Sequence, residues 1–95
     1  MLSFQALNWK PLEKNTLRGF FDLQITSPDM VIILRGASYH ERDGSRWVAM
    51  PAKPYKDKSG KETWANIVDW PDQGSKTEFM SLALGALDRD LLNRV

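Results

Sequence analysis

The chain has 95 residues, a net charge of +1 and no cysteine, and 42% of its residues are hydrophobic. This length predicts a single domain, 1–95, with a modest core. The absence of cysteine excludes disulfides, thiolate metal sites and cysteine nucleophiles, and it favours a cytoplasmic protein. We expect no signal peptide, because the first residues lack a basic segment followed by a long apolar run. No apolar run approaches the ~20 residues of a membrane span.

Charge is distributed unevenly along the sequence. The first 61 residues contain ten Lys or Arg and six Asp or Glu, a net charge of +4, whereas the last 34 contain three and six, a net charge of −3. A basic first part and an acidic last part suggest one face for a polyanion and another face that avoids it. Charge alone leaves open the alternative of chance scatter in a small protein.

Hydrophobic periodicity predicts three long strands, over residues 4–10, 17–26 and 30–41. Pro11 closes the first and indicates an edge strand, and a turn is expected at 13–15. In 17–26 the period of two places Phe21 and Leu23 on one face, and Arg18 and Phe20 on the other. A turn at 27–29 leads into the third strand.

Two dipeptides carry the local signals of the next region. Arg35-Gly36 indicates a bulge, because glycine permits the extra residue. Asp43-Gly44 predicts a tight hairpin, in which both central residues need a positive φ. This hairpin joins residues 38–40 to residues 46–48.

The stretch 46–56 reads Arg-Trp-Val-Ala-Met-Pro-Ala-Lys-Pro-Tyr-Lys. It begins as a strand, and Pro51 ends the strand because proline has no N–H for a ladder. It then continues as an extended, basic and aromatic segment exposed to solvent. A polar loop follows at 56–62, and the last strand is predicted over 64–70.

The C-terminal segment predicts a helix over 76–92. Ser75-Lys-Thr-Glu78 matches a capping box, in which Ser75 accepts from the Glu78 N–H and Glu78 reaches back to Ser75. The predicted fold is therefore α+β: an antiparallel meander of four to five strands within 4–70, and one C-terminal helix packed on it.

This helix is apolar around most of its circumference, and one sheet face covers only part of such a surface. We therefore predict a homodimer through residues of the helix, namely Met80, Leu84, Leu87 and Leu91. The alternative is that Phe4, Leu7 and Trp9 of the same chain fold over the helix.

Catalytic and metal-binding signals are weak. His40 is the single histidine, and no second histidine or cysteine completes a first metal shell with Glu41 and Asp43. The chain has no glycine-rich phosphate loop and no recognisable nucleophile and base. We predict no enzyme activity, no metal and no cofactor.

Nucleic-acid binding is the favoured function, because cations can reach phosphates and aromatic rings can stack on unpaired bases. The alternatives are that Phe20 and Trp47 belong to a core, that Tyr55 covers a loop, and that the lysines are solvated surface. Trp9 and Trp70 are the tryptophans we expect to be most buried. The predicted binding residues are Arg18, Phe20, Arg35, Arg46, Trp47, Lys53, Tyr55 and Lys56.

Two short segments, Trp47-Val-Ala-Met-Pro-Ala-Lys53 and Leu17-Arg-Gly-Phe20, resemble sequences of the stage V sporulation protein G (SpoVG) family and of small proteins of bacteria and prophages. The similarity spans about residues 14–90, and the identical segments within it are short. It implies a small dimeric sheet-plus-helix regulator that binds DNA or RNA, with Lys53 at the family's basic position. Pro54 departs from the family, which tends to have a second cation there, and the acidic helix end departs as well.

Together these features predict a non-enzymatic protein that binds nucleic acid, with single-stranded DNA favoured over RNA. The alternative function is a protein–protein interaction module of prophage or regulatory origin.

Overall fold

The computed structural model describes residues 2–92 as two antiparallel sheets followed by one helix. The first sheet has the strand order β1-β2-β3-β4, and β5 and β6 pair in a separate sheet. The predicted α+β class, with an antiparallel meander and one C-terminal helix, is confirmed. The strands are β1 (Ser3–Lys14), β2 (Leu17–Thr26), β3 (Val31–Arg42), β4 (Ser45–Ala49), β5 (Ala52–Lys56) and β6 (Glu62–Asn66), and the helix is α1 (Gln73–Leu87), which continues as a π-helical turn (Asp88–Leu92).

Strand β1 is an edge strand, as its proline predicts, but it does not end at residue 10. It runs past Pro11, which pairs with Gly19, because an edge strand can leave a missing N–H on its open side. A register shift between Leu7 and Lys10 accommodates Asn8, whose φ is +58°. The turn after β1 lies at residues 15–16, so it overlaps only the last residue of the turn predicted at 13–15.

The two glycine signals in the middle of the chain are confirmed. Gly36 has a φ of +83° beside a register shift between β2 and β3. Asp43 and Gly44 have φ values of +49° and +84°, and they close the hairpin that pairs Tyr39 with Val48. Glycine adopts such values without steric cost and aspartate tolerates them, so these positions fix the geometry of β3 and β4.

The predicted last strand is present, but its predicted bounds of 64–70 are wrong. β6 begins at Glu62 and ends at Asn66, and it pairs with β5 in the register Pro54 to Trp64. The loop between them is tight because the Asp57 carboxylate accepts hydrogen bonds from the Ser59 hydroxyl and from the backbone N–H of Lys61. These hydrogen bonds lower the pKa of Asp57, the one from the Ser59 hydroxyl being the largest cause.

The helix begins three residues earlier than the predicted capping box. Asp72 is the N-cap, and its carboxylate accepts a hydrogen bond of 2.7 Å from the Ser75 N–H. Aspartate is as good an N-cap as serine, and the helix gains a turn by starting at the earlier residue. At the other end, α1 stops at Leu87 and five π-helical residues follow. The α-helix therefore ends before the predicted residue 92, although helical backbone of both kinds together reaches that residue. Neither helical element within residues 2–92 is long and apolar enough to cross a bilayer.

One face of the four-stranded sheet packs on α1 and forms the core. Phe21, Leu23 and Tyr39 are fully buried there, together with Leu87 of the helix. Each such side chain contributes roughly 1.5–3 kcal/mol. Trp9 packs against this core, where its ring lies 6.3 Å from that of Tyr39.

The π-helical turn attaches the C-terminal segment to the open side of β1. The Ala6 N–H donates to the Asp90 carboxylate at 2.9 Å, and the Arg89 guanidinium donates to the Phe4 carbonyl at 2.6 Å. Arg89 also donates to Asp90, and this pairing is the main reason that the pKa of Asp90 is lowered. Side chains of the C-terminal segment thus occupy backbone groups that an edge strand otherwise exposes.

Candidate nucleic-acid interface

The sheet face opposite α1 carries an aromatic surface, which we call the outer face and define as Phe20, His40 and Trp47. His40 pairs with Trp47 across β3 and β4, and their rings are parallel, with an interplanar angle of 2° and centroids 5.5 Å apart. Phe20 lies on the neighbouring strand, opposite Ser38, and is half-buried. These residues alternate with the buried Phe21, Tyr39 and Val48, so the same strands that form the core position this surface.

His40 acts as a fixed aromatic ring in this surface. Its Nδ1 lies 3.0 Å from the Thr16 hydroxyl, and its Nε2 lies 2.9 Å from the Ser38 hydroxyl. Burial lowers the pKa of His40 below its ordinary value, because it disfavours the charged ring. No group of three or more His, Asp or Glu side chains within residues 2–92 is placed to hold a metal ion. The arrangement suits ring stacking rather than proton transfer.

The second part of the candidate interface is a two-stranded arm, which we define as residues 52–66. Every residue of β5 is exposed. The arm contains four lysines and two acidic residues, a net charge of +2. Tyr55 is 47% exposed and Trp64 is 68% exposed, so two aromatic rings accompany the cations. None of the ion pairs among residues 2–92 involves the arm lysines, which are Lys53, Lys56, Lys58 and Lys61.

A groove of about 340 Å³ lies between β4, the base of the arm and α1. It lies where β4 passes into β5, and its walls include Trp47, Pro51 and Asn66. Lys76 at the start of α1 also contributes, with its ammonium group 5.8 Å from the centre of the Trp70 ring. Because Val48 and Met80 also line it, the groove lies at the base of the arm on the helix side of the sheet.

Two predicted cations lie near the outer face but are partly engaged. The Arg18 guanidinium donates to the Asn15 carbonyl at 2.9 Å and to the Leu17 carbonyl at 3.1 Å. Arg35 donates to the Asp22 carboxylate at 3.2 Å while its side chain remains 72% exposed. Asp22 also accepts from Asn8, and that hydrogen bond is the largest reason that its pKa is lowered.

Arg46 lies apart from the other predicted binding residues. Its side chain is on the helix side of the sheet, where it donates to the Tyr39 hydroxyl at 2.6 Å and pairs with the Asp88 carboxylate. These two contacts, first that with Asp88, raise the pKa of Arg46. The neighbours Arg46 and Trp47 therefore face opposite sides, and a shared positive surface through Arg18, Arg46 and Lys53 is not present.

The residues of the predicted helix interface pack within their own chain. Leu87 has no exposed surface, and the other three, Met80, Leu84 and Leu91, are partly buried against the core. Phe4 covers the start of the helix, with its ring 5.2 Å from that of Phe79. This arrangement corresponds to the alternative for Phe4 and Trp9, which pack with the core that includes α1, but not for Leu7, which pairs with Asp22 on the other face of the sheet. The order of tryptophan burial agrees with expectation, since Trp9 and Trp70 are half-buried while Trp47 and Trp64 are exposed.

Sequence reasoning missed Trp64, Lys58 and Lys61 as candidate binding residues. The available signal was the equal spacing of 52–56 and 62–66 about Ser59-Gly60, which is compatible with a hairpin. Pro54 argued against a ladder, yet both strands of a two-stranded sheet have an open side where a missing N–H costs nothing.

Comparisons of this chain with protein-family models, with curated proteins and with solved structures found no match. Its function is therefore inferred from its own residues.

Proposed function

We propose that this chain is a non-enzymatic nucleic-acid-binding protein that holds single-stranded DNA along the arm and the outer face. The observation that carries the proposal is the arm itself, where four lysines that form no ion pair within residues 2–92 accompany two exposed aromatic rings. Lysines neutralise phosphates and release counterions, and this term supplies most of non-specific affinity. Exposed rings stack on unpaired bases regardless of sequence.

The combination favours single strands over a duplex. Bases in a duplex are already stacked on one another, whereas those of a single strand are free to stack on Tyr55, Trp64 or Trp47. Each such stack is worth roughly 1–3 kcal/mol. The groove between the arm and α1 adds a further cation beside the arm, Lys76. The resemblance of 47–53 to the SpoVG family points to the same class of ligand.

The direct test is fluorescence anisotropy with a labelled oligothymidine, its RNA counterpart and a duplex, titrated at several salt concentrations. We expect affinity to fall with salt, with a slope of about −0.7 per phosphate contact for the single strand. The Lys53→Gln/Lys56→Gln variant is expected to reduce the magnitude of that slope by about 1.4. The control Lys14→Gln/Arg42→Gln removes the same charge from the other end of the sheet and is expected to leave the slope nearly unchanged.

No binding of any of the three probes at about 50 mM salt, where phosphate contacts are strongest, would refute the proposal. Binding of the duplex in preference to the single strand would keep the ligand class but remove the role of the aromatic rings.

A protein-interaction module is the second candidate, because the same exposed Tyr55 and Trp64 suit a protein partner as well. Salt then has little effect, and the two functions separate in a pull-down from lysate with and without nuclease. A partner retained after nuclease treatment favours the second candidate.

A further inference from the structure

A pocket of about 460 Å³ opens beside Phe20, on the side of the sheet that faces away from α1. Its walls include Lys10, Phe20, Asp22 and Arg35. Lys10 pairs with Phe20 across β1 and β2, so both side chains leave the same face of the sheet. The pocket therefore combines an aromatic ring with three charged side chains, a set of groups that is typical of small-ligand sites.

Two irregularities of the sheet shape this pocket. The pairing of β1 with β2 shifts at Asn8, which has a φ of +58°, and the pairing of β2 with β3 shifts beside Gly36, which has a φ of +83°. Both shifts lie next to Asp22 in the ladder. Bulges of this kind re-aim side chains, and they are frequent beside functional sites.

The Asp22 carboxylate fixes one end of the Arg35 side chain. Its Oδ2 accepts from Nη1 of Arg35 at 3.2 Å and from Nδ2 of Asn8 at 2.8 Å, and its Oδ1 accepts from the Gly36 N–H at 3.1 Å. Arginine carries five N–H donors in a planar fork, and within residues 2–92 this carboxylate is the only group that accepts from Arg35. The Nε and Nη2 donors are therefore free on a side chain that is 72% exposed but held in place.

A neutral acceptor suits these two donors better than a phosphate does. The Asp22 carboxylate lies 3.2 Å from the guanidinium, and it would repel the anionic oxygens of a phosphate brought to the same group. Lys10 lies close enough to help lower the pKa of Asp22, yet it has no ion pair in the part of the chain that the structure describes. Lys10 is therefore the cation for a phosphate, and Arg35 is left for a base.

The geometry of the fork selects among the bases. Guanine presents two adjacent acceptors, O6 and N7, which match two N–H groups of arginine. Adenine carries an amino donor beside its N7, and thymine offers a single acceptor on that edge. A purine also covers more of the Phe20 ring than a pyrimidine does.

We propose that this pocket binds one guanine base of the single strand, which stacks on Phe20 and accepts two hydrogen bonds from Arg35 at O6 and N7. Lys10 contacts a neighbouring phosphate, and Asp22 positions Arg35. A base that lies on an aromatic ring of a four-stranded sheet is a recurring arrangement in single-strand recognition. The site rests on the proposed function, and it adds a preference for guanine at one position to binding that is otherwise independent of sequence.

Base analogues test this contact on the unmodified protein. The reference is a labelled oligothymidine of about eight nucleotides, whose central base is replaced in turn by guanine, hypoxanthine, 7-deazaguanine, adenine or cytosine. We expect guanine to lower the Kd at least about fivefold relative to thymine, because a bidentate pair discriminates by that much or more. Hypoxanthine keeps O6 and N7 and should bind like guanine, whereas 7-deazaguanine lacks N7 and should lose most of the gain.

Equal Kd values for guanine and thymine, for guanine and adenine, or for guanine and 7-deazaguanine would overturn the inference. A large loss with hypoxanthine, or a tighter complex with cytosine, would overturn it as well, since the contact would then involve a different edge of the base. Failure of every probe to bind refutes the proposed function and this site together. Binding of oligothymidine without a gain from guanine refutes this site alone.

The Arg35→Lys variant separates recognition of the base from charge. Lysine keeps the positive charge but lacks the planar fork, so we expect the ratio of the thymine Kd to the guanine Kd to fall to about two or less. Arg42→Lys is the matched control, because Arg42 lies on the same strand with its side chain 73% exposed, and its ratio should stay that of the natural chain. A ratio that survives Arg35→Lys, or one that falls equally in Arg42→Lys, would contradict the role of Arg35.

Discussion

The four-stranded sheet and the arm are both antiparallel pairings, but different interactions stabilise them. In the sheet, one face is buried against α1, and its large side chains are close to fully covered. In the arm, every residue of β5 is exposed, and the pairing relies on the ladder with β6 and on the Asp57 turn. The sheet therefore provides stability, whereas the arm presents cations and rings that have few contacts within the chain. Substitutions in the sheet should therefore affect folding, and substitutions in the arm should affect ligand binding.

The sharpest contrast is expected in the core. Leu23→Ala removes a side chain with no exposed surface, so we expect a loss of about 2–5 kcal/mol in the free energy of unfolding. Leu82→Ala makes the same chemical change on the exposed side of α1, and we expect a change of about 0.5 kcal/mol or less. Urea unfolding measures both. Equal effects would mean that the sheet face is not the centre of stability.

A second contrast concerns Gly19, where β2 passes under Trp9. An added Cβ would lie 2.5 Å from Cη2 of Trp9 and 2.8 Å from the Lys10 carbonyl oxygen. We therefore expect Gly19→Ala to cost about 1–3 kcal/mol, since the ring and the strand must both move. Gly85→Ala is the control, because a Cβ there meets nothing within 4 Å. It should stabilise the helix by up to about 1 kcal/mol, and a thermal melt of both variants compares them.

Substitutions at Arg46 and Arg42 test which cations stabilise the fold and which do not. Arg46→Met leaves Asp88 without its partner at a site where that side chain is only 18% exposed, so we expect a loss of about 1–3 kcal/mol. Oligonucleotide affinity, measured where the variant is fully folded, should be unchanged. Arg42→Met removes an exposed arginine of the same hairpin and should change stability by about 0.5 kcal/mol or less. A loss of affinity without a loss of stability in Arg46→Met would reverse our assignment of its role.

The smallest expected effect is on the pH dependence of stability. Because burial lowers the pKa of His40 below 6.5, the unfolded chain binds more protons than the folded chain between the two pKa values. Stability is then complete above the unfolded pKa and is lost as the pH falls through the folded one. We expect Tm to fall by a few degrees from about pH 7 to about pH 5, and the His40→Gln variant to show a flatter profile. A Tm that rises on acidification would contradict this.

The predictable parts of the fold were those that local chemistry fixes. Asp43-Gly44 specifies a tight hairpin because of its φ values, and the period of two in β2 separates a buried face from Phe20. The start of α1 was less predictable, because Asp72 and Ser75 are both good N-caps and only the packed structure selects between them. The second sheet was missed because Pro51 ends the strand before it, so the sequence predicts an unpaired extended segment, whereas Pro54 is tolerated in β5 because that strand has an open side.

The candidate site was harder to predict, since it depends on which way each side chain points. Arg46 and Trp47 are adjacent in sequence and were grouped together, but the pleat sends them to opposite faces, and Asp88 fixes Arg46 on the helix side. That contact spans 42 residues, so no local pattern predicts it. The exposure of Lys53, Tyr55 and Lys56 was predictable, because the segment that contains them is basic and rich in proline.

Removal of the arm tests most directly whether the four-stranded sheet provides the stability and the arm provides the binding surface. Ala52 and Asn66 are partners across the ladder, so residues 53–65 can be replaced by a Gly-Gly turn without altering the strand ends. We predict that this variant melts cooperatively within a few degrees of the natural chain and binds labelled oligothymidine at least about tenfold more weakly. A variant that fails to fold, or one that folds and binds as tightly as the natural chain, would contradict the account.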